Sequence, residues 1–247
     1  MTGPPTLIRS QPGIKRDGTR YDGEYYIDAQ WCRWQRGLPR KIWGCRAVTS
    51  QIPEKTYGML ASSINGTQYA HLGSASKLTQ VLMDNQGIFT GLNDRTPVGL
   101  APSTDNVWQF DTFYDSVGGE LILVAHATPS LSAIDSSTET SIFHGPLISN
   151  AALTALTVPQ QSGGIVVLSP YLLTFGNAGR VEISKANDPN TITTTAYVTG
   201  SKIVHGIATR GSGTGPSGLL WSVDALIRAT FTSASAGYFA FDEIGGD

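Results

Sequence analysis

From residue 55 onward, apolar side chains recur at every second position in short runs, and turn-forming residues separate the runs. A spacing of two is typical of β-strands, because successive side chains of a strand point to opposite faces of a sheet. Predicted strands are Trp108–Tyr114, Leu121–Ala125, Tyr171–Phe175 and Ile203–Thr209. No segment shows the 3.6-residue spacing of an amphipathic helix, so the sequence predicts an all-β fold.

Turn residues predict where the strands end. "NGT" at Asn65 predicts a tight hairpin, because asparagine and glycine accept the positive φ angles that two-residue hairpins require. Pro189 in "SKANDPN" is predicted to stop a strand, because proline lacks the N–H that a sheet ladder needs. A further strand is predicted at Leu131–Asp135.

The predicted strands fall into four segments of roughly 35–50 residues, each with three or four strands, which is the repeat length of β-propeller blades. We therefore predict a β-propeller-like array of about four antiparallel blades over residues 51–247, with a β-sandwich or β-barrel, which would lack the regular grouping, as the alternative. Three forms of closure stay open: a complete four-blade ring, an open ring completed by a neighbouring subunit, and a propeller that continues past Asp247.

Residues 1–50 differ from the rest in charge and in aromatic content. They carry nine Lys and Arg against four Asp and Glu, a net charge of +5, whereas residues 51–247 carry −7. "DAQWCRWQRGLPRKIWGCR", residues 28–46, contains three tryptophans, two cysteines and five positive charges. We interpret residues 1–50 as a basic, Trp-rich docking arm that binds something the remainder of the chain does not.

The two cysteines, Cys32 and Cys45, are too few for a disulfide framework and match no common zinc spacing. No apolar run is long enough for a signal peptide or a membrane span. We expect reduced structural thiols in a protein made in a cytosol, with a mutual disulfide as the alternative.

Residue types that can take part in catalysis are scattered along the chain. The four histidines lie in different segments and are interpreted as polar strand or loop residues: His71, His126, His144 and His205. Six aspartates are placed at strand ends and turns, where Asp stabilises loops: Asp105, Asp111, Asp115, Asp135, Asp188 and Asp224. "GSGTGPSG" at 211–218 lacks the Lys-Ser/Thr of a phosphate-binding loop and precedes a strand. The sequence predicts no enzyme activity, no cofactor and no metal.

The basic segment remains as the candidate site. Trp and Arg are the residues most enriched at the centres of protein interfaces, which favours a protein-binding role. Single-stranded nucleic acid is the alternative, because it also binds arginines interleaved with aromatics. Acids alternate with bases in "RDGTRYDGEYYIDAQW" and would interrupt a continuous contact with phosphates.

The whole pattern resembles a family of structural proteins from short-tailed bacteriophages. "SQPGIKRDGTRYDGEYYIDAQWCRWQRGLPRKIWGCR" is similar to the segment that precedes a β-propeller in those proteins. "VWQFDTFYDSVGGELILVAHATPSLSAID", "YLLTFGNAGRVEISKANDPNTI" and "GLLWSVDALIRATFTSASAGYFAFDEIG" resemble successive blades. The resemblance covers residues 10 to 245 and is to the tail nozzle, or packaged-DNA stabilisation, family.

That resemblance implies a virion protein of the tail, synthesised in the host bacterial cytoplasm. It implies a ring of copies, six by similarity, that binds the portal and adaptor, retains the packaged genome and lines its exit channel. Double-stranded DNA would pass through without sequence-specific contact, and no membrane would be bound in the resting particle. The expected assembly residues are Trp31, Arg33, Trp34, Arg36, Arg40, Lys41 and Trp43. The alternative is a tail-associated propeller that binds or cleaves carbohydrate.

Overall fold

The computed structural model describes residues 14, 32–35, 38–41, 49, 52, 54–101, 107–127, 141–210 and 215–246. The chain divides into two compact units, Met1–Val48 and Thr49–Asp247. Apart from two single-turn 3₁₀ helices, Asn177–Gly179 and Ala234–Ala236, all regular structure in the described residues is β-strand. The predicted all-β class is confirmed.

The first unit contains an antiparallel hairpin of β1 (Cys32–Gln35) and β2 (Leu38–Lys41). The second unit contains four antiparallel sheets of four strands each, which we number in chain order. Sheet 1 comprises β3 (Thr56–Ile64), β4 (Thr67–Ser74), β5 (Leu78–Met83) and β6 (Phe89–Asp94), and sheet 2 comprises β7 (Trp108–Asp115), β8 (Glu120–Ala127), β9 (Ile142–Pro146) and β10 (Thr154–Ala155). Sheet 3 comprises β11 (Gly164–Leu168), β12 (Tyr171–Phe175), β13 (Arg180–Lys185) and β14 (Asp188–Tyr197), and sheet 4 comprises β15 (Ile203–Thr209), β16 (Ser217–Ser222), β17 (Ala225–Phe231) and β18 (Phe239–Gly246).

In every sheet the spatial order of the strands is their order in the chain. The first strands of successive sheets are neighbours, so that β3 lies beside β7, β7 beside β11 and β11 beside β15. Each sheet is therefore a meander whose first strand meets the first strand of the next sheet.

Apolar layers fill the spaces between successive sheets. The layer between sheets 3 and 4 shows the pattern, with Leu173 and Ile183 from sheet 3 against Leu220 and Ile227 from sheet 4. Comparable clusters join sheets 1 and 2 and sheets 2 and 3. Complete burial of one such side chain contributes about 1.5–3 kcal/mol. Strands between two layers, such as β12, are buried on both faces, in agreement with their mostly apolar sequence.

The contact of sheet 1 with sheet 2 depends on two glycines. The Trp108 indole of β7 lies directly on Gly73, and the backbone and Cβ of Trp108 lie directly on Gly58, so a Cβ atom at either glycine would collide with Trp108. Its Nε1–H donates to the carbonyl oxygen of Ser74 at 2.7 Å. The absent side chains let a fully buried tryptophan approach the neighbouring strands closely.

Several predicted elements are confirmed. The runs at Tyr171–Phe175 and Ile203–Thr209 are strands with those bounds. Asn65 and Gly66 form the predicted hairpin turn with φ angles of 52° and 80°. The prediction that Pro189 stops a strand is wrong, because it is the second residue of β14. β14 is an edge strand, so the missing N–H costs no ladder bond to a further strand. The strand predicted at Leu131–Asp135 lies outside the described residues.

Candidate assembly interface

The β1–β2 hairpin brings two of the predicted interface residues together. Arg33 is the cross-strand partner of Arg40, and directly opposed residues of an antiparallel pair share one face. Both side chains are exposed, as is Gln35 two residues along β1. One face of the hairpin therefore presents two guanidinium groups side by side.

The opposite face carries Cys32, Trp34 and their partners. Cys32 lies opposite Lys41, and Trp34 lies opposite Pro39. Trp34 and Cys32 are half-buried, Lys41 is exposed, and Cys32 is a free thiol. The structure thus places Lys41 on a different face from Arg33 and Arg40. Trp31, Arg36 and Trp43, which the sequence analysis grouped with them, lie outside the described residues, as does Cys45.

The opposed arginines are electrostatically unfavourable in isolation. Like charges directly opposite each other in a sheet destabilise it by roughly 0.2–1 kcal/mol. Within the described part of the chain, neither Arg33 nor Arg40 forms an ion pair with a carboxylate. Their fork-shaped donors favour planar or tetrahedral anions. This face is therefore complementary to a negatively charged partner.

Polar side chains also join the sheets, which the sequence analysis did not foresee. Asp111, which is predicted at a strand end or turn, lies inside β7. Its carboxylate accepts hydrogen bonds from the backbone N–H of Val167 in β11 at 2.9 Å and of Thr112 at 2.8 Å. Gln109 donates to the carbonyl oxygens of Gly163 and Val204, each at 3.1 Å. The side chains of Asp111 and Gln109 thus form hydrogen bonds that connect sheet 2 with sheets 3 and 4.

Burial raises the pKa of Asp111, and the bonds from the Val167 and Thr112 amides oppose that rise. Because the folded-state pKa lies above the unfolded value, the contribution of this group to stability is greatest at low pH. That contribution is lost as the pH rises through the folded pKa. At neutral pH the carboxylate is thus held in place by its hydrogen bonds against a cost of burial.

Replacing Asp111 by leucine is expected to lower the free energy of unfolding by about 1–3 kcal/mol, because the Val167 N–H loses its acceptor. Asp111→Asn keeps an acceptor oxygen and removes the buried charge, so its free energy of unfolding should stay within about 1 kcal/mol of the parent. Urea denaturation of both variants at neutral and mildly acidic pH measures this. Equal destabilisation by the two substitutions would contradict the role of the acceptor.

A cluster of buried polar side chains lies between sheets 1 and 2. Arg95, which follows β6, is fully buried and donates to the carbonyl oxygens of Pro146 at 2.7 Å and Ala151 at 3.0 Å. It also lies 3.3 Å from His71 Nε2, and His71 lies 3.1 Å from the Gln80 amide. His71 is predicted to be a polar strand or loop residue, but its complete burial is not predicted. No local pattern indicates this cluster, because the Arg95 acceptors are more than fifty residues away in the chain.

Comparison with protein-family models and with curated proteins gives no match for this chain. Across the described ranges, no group of three or more His, Cys, Asp or Glu residues could hold a metal ion. In the same ranges, no helix is long and apolar enough to cross a membrane.

Proposed function

We propose that this chain is a structural subunit of a bacteriophage tail nozzle. Its four sheets form a propeller-like array, and several copies, six by resemblance, form a ring below the portal and adaptor. The ring retains packaged DNA and lines the channel through which the DNA leaves. The observation that carries the proposal is the exposed Arg33–Arg40 pair, which lies in the segment where the resemblance to tail nozzle proteins is found.

The arrangement of the sheets supports a propeller-like array. In a propeller, each blade is a four-stranded meander and the first strands of the blades surround a common axis. Here every sheet is such a meander, and β3, β7, β11 and β15 are neighbours in succession. Gln109 accepts a hydrogen bond from the Ile165 N–H of β11 at 3.3 Å and donates to the Val204 carbonyl oxygen of β15, which requires these first strands to converge.

The charge distribution supports assembly from like copies. A ring subunit needs two different surfaces, one that fits the next copy and one that accepts the previous copy. Residues 1–50 carry +5 and residues 51–247 carry −7, so the arm of one copy is complementary to the body of another. Complementary charge accelerates association and sets the register of an interface.

Reversing both charges of the pair, with Arg33→Glu and Arg40→Glu, is expected to weaken ring assembly or docking on the adaptor at least about 100-fold. The melting temperature should stay unchanged, because both side chains are exposed. The measurement is electron microscopy and light scattering of the purified protein, alone and mixed with portal and adaptor rings.

The matched control is the pair Lys55→Glu and Lys185→Glu, which makes the same charge change at exposed positions of the second unit. Assembly of the control but not of the arginine variant would support the proposal. Normal assembly of the arginine variant would refute the interface. A parent protein that stays monomeric and ignores the adaptor would favour the carbohydrate-binding alternative, which a glycan array and a hydrolysis assay would then test.

A further inference from the structure

One end of the outer face of sheet 4, the face turned away from sheet 3, has a floor of small polar side chains. Thr209, Ser217, Thr230 and Ala240 are directly opposed in register across β15, β16, β17 and β18. Directly opposed residues share one face of a sheet, so the four side chains form one row. Their small size leaves a depression between taller neighbours.

The depression is a cavity of about 450 Å³. Its walls are Arg210, Arg228 and Asp242, with Arg228 directly opposite Asp242 in register. Arg228 donates from one terminal nitrogen to the Asp242 carboxylate at 3.2 Å, and both side chains are about half exposed. A guanidinium has five N–H donors, so this single bond leaves Arg228 able to bind a further anion. With two guanidinium groups and one carboxylate, the walls carry a net positive charge.

The hydroxyl groups of the floor are suited to a ligand that itself has hydroxyl groups. The hydroxyl oxygens of Thr209 and Ser217 are 2.7 Å apart, and Ser217 also donates to the carbonyl oxygen of Arg210 at 3.3 Å. If Ser217 donates to Arg210, then Thr209 donates to Ser217 and its own oxygen can accept a hydrogen bond. The Asp242 carboxylate is a second acceptor at the same cavity.

This surface differs from the faces by which the sheets pack on each other. Sheet 2 meets sheet 3 through apolar side chains such as Phe113 and Val124. Sheet 3 meets sheet 4 through others such as Leu173 and Ile183. A row of hydroxyls beside two arginines cannot form a comparable dry contact, because its polar groups would lose water without partners. This part of sheet 4 is thus suited to a polar ligand rather than to a further sheet.

We infer that this cavity binds a phosphorylated sugar. Arg210 and Arg228 hold the phosphate, because paired guanidinium groups bind tetrahedral oxyanions with several charge-assisted hydrogen bonds. The Thr209 oxygen and the Asp242 carboxylate accept hydrogen bonds from the sugar hydroxyls. The volume is within the range of small-molecule sites and exceeds what a phosphate ion alone fills. None of the lining side chains in the described part of the chain is aromatic, so the cavity offers no stacking surface for a nucleobase.

The test is titration calorimetry of the full chain with ribose 5-phosphate, ribose and inorganic phosphate. Ribose 5-phosphate should bind saturably at millimolar concentration or below, and inorganic phosphate should bind at least about 10-fold more weakly. Ribose alone should give no saturation. Arg228→Gln and Arg210→Gln should each weaken ribose 5-phosphate binding by about 10-fold or more. Amide chemical shifts of Thr230 and Ala240 should move on titration of the parent protein.

The matched control is Lys185→Gln, which removes one positive charge from an exposed position on sheet 3 and should leave binding unchanged. Both arginine side chains are exposed, so their variants should melt like the parent, and a melting curve verifies this. Binding that survives the double arginine substitution would overturn the inference, as would no saturable binding to the parent. Inorganic phosphate binding as tightly as ribose 5-phosphate would overturn the sugar part. Tighter binding of a short single-stranded oligonucleotide would assign the cavity to nucleic acid instead.

Discussion

Replacing Arg95 by methionine is expected to lower the free energy of unfolding by about 3 kcal/mol. Methionine fills part of the space but removes the donors to the carbonyl oxygens of Pro146 and Ala151. A hydrogen bond from a charged group is worth about 1.5–3 kcal/mol. Burial lowers the pKa of Arg95 to about 10, which shows that its charged form is costly to bury. Removing that charge offsets part of the loss. Urea denaturation of the parent and the variant measures the difference in free energy of unfolding, and the m-value should be the same for both.

The matched control for this prediction is Arg228→Met, since Arg228 is an exposed arginine in a surface ion pair. Its loss should change the free energy of unfolding by no more than about 1 kcal/mol. Arg95→Lys should fall between the two, because an ammonium group cannot reach both carbonyl oxygens in a fork. If Arg95→Met and Arg228→Met were equally stable, the hydrogen bonds of Arg95 would not stabilise the contact of sheet 1 with sheet 2.

Two buried histidines should make the protein sensitive to mild acid. Burial, together with the positive charge of Arg95, lowers the pKa of His71 to about 4. Burial also lowers the pKa of His126 to about 4, with a minor contribution from Lys202 and an opposing one from the Gln161 carbonyl. Both side chains are fully buried, and each has a ring Nδ1 without a hydrogen-bond partner. Protonation inside the fold is therefore costly.

The sign of the effect follows from the depressed pKa values. Above the unfolded value of about 6.5, both histidines are neutral in either state, and their contribution to stability is complete. As the pH falls from 6.5 towards 4, the unfolded chain binds protons that the folded chain does not bind. Each histidine should then lower the free energy of unfolding by about 1.4 kcal/mol per pH unit, and the two together by about 2.7.

Denaturation by urea at several pH values across that window measures the slope. His126→Gln keeps an amide donor for the Gln161 carbonyl but cannot be protonated, so it should lower the slope by about 1.4 kcal/mol per pH unit. His205→Gln is the control, because His205 is exposed and its replacement should leave the slope unchanged. An unchanged slope in the His126→Gln variant would refute the assignment of this pH dependence to His126.

Carboxyl groups act in other parts of the pH range. Hydrogen bonds lower the pKa values of Glu54, Asp94 and Asp224, so their contributions to stability are lost only below their unfolded values. Asp111 acts in the opposite direction, because its raised pKa favours the folded chain as the pH falls. Burial also lowers the pKa of His144, so this third histidine adds to the slope that His71 and His126 produce.

The strands were predictable because their signals are local. Alternation over five to seven residues and a turn pair such as Asn65–Gly66 determine a hairpin without reference to the rest of the chain. Pro189 was misjudged because the cost of a proline depends on whether its strand lies at a sheet edge. The position of a strand in its sheet is a property of the whole fold, which a local pattern does not contain.

The candidate site was predictable only in part. The composition of residues 28–46 indicated an interface, but it did not indicate which charges share a face. That depends on hairpin register, and the register places Arg33 opposite Arg40 while Lys41 lies opposite Cys32. Asp111 and Arg95 could not be recognised for a different reason. Their hydrogen-bond partners are more than fifty residues away, at Val167 and Pro146.

The agreement between strand order and chain order has a consequence for synthesis on the ribosome. A hairpin forms in about 1–10 μs, whereas translation adds about 5–20 residues per second. Each sheet is built from four consecutive strands, so it can pair as soon as it leaves the exit tunnel, without waiting for a distant segment. Its apolar face, however, stays uncovered until the next sheet has been synthesised. The nascent chain therefore exposes the apolar face of one sheet at a time, and a chaperone would need to bind only the most recently completed sheet.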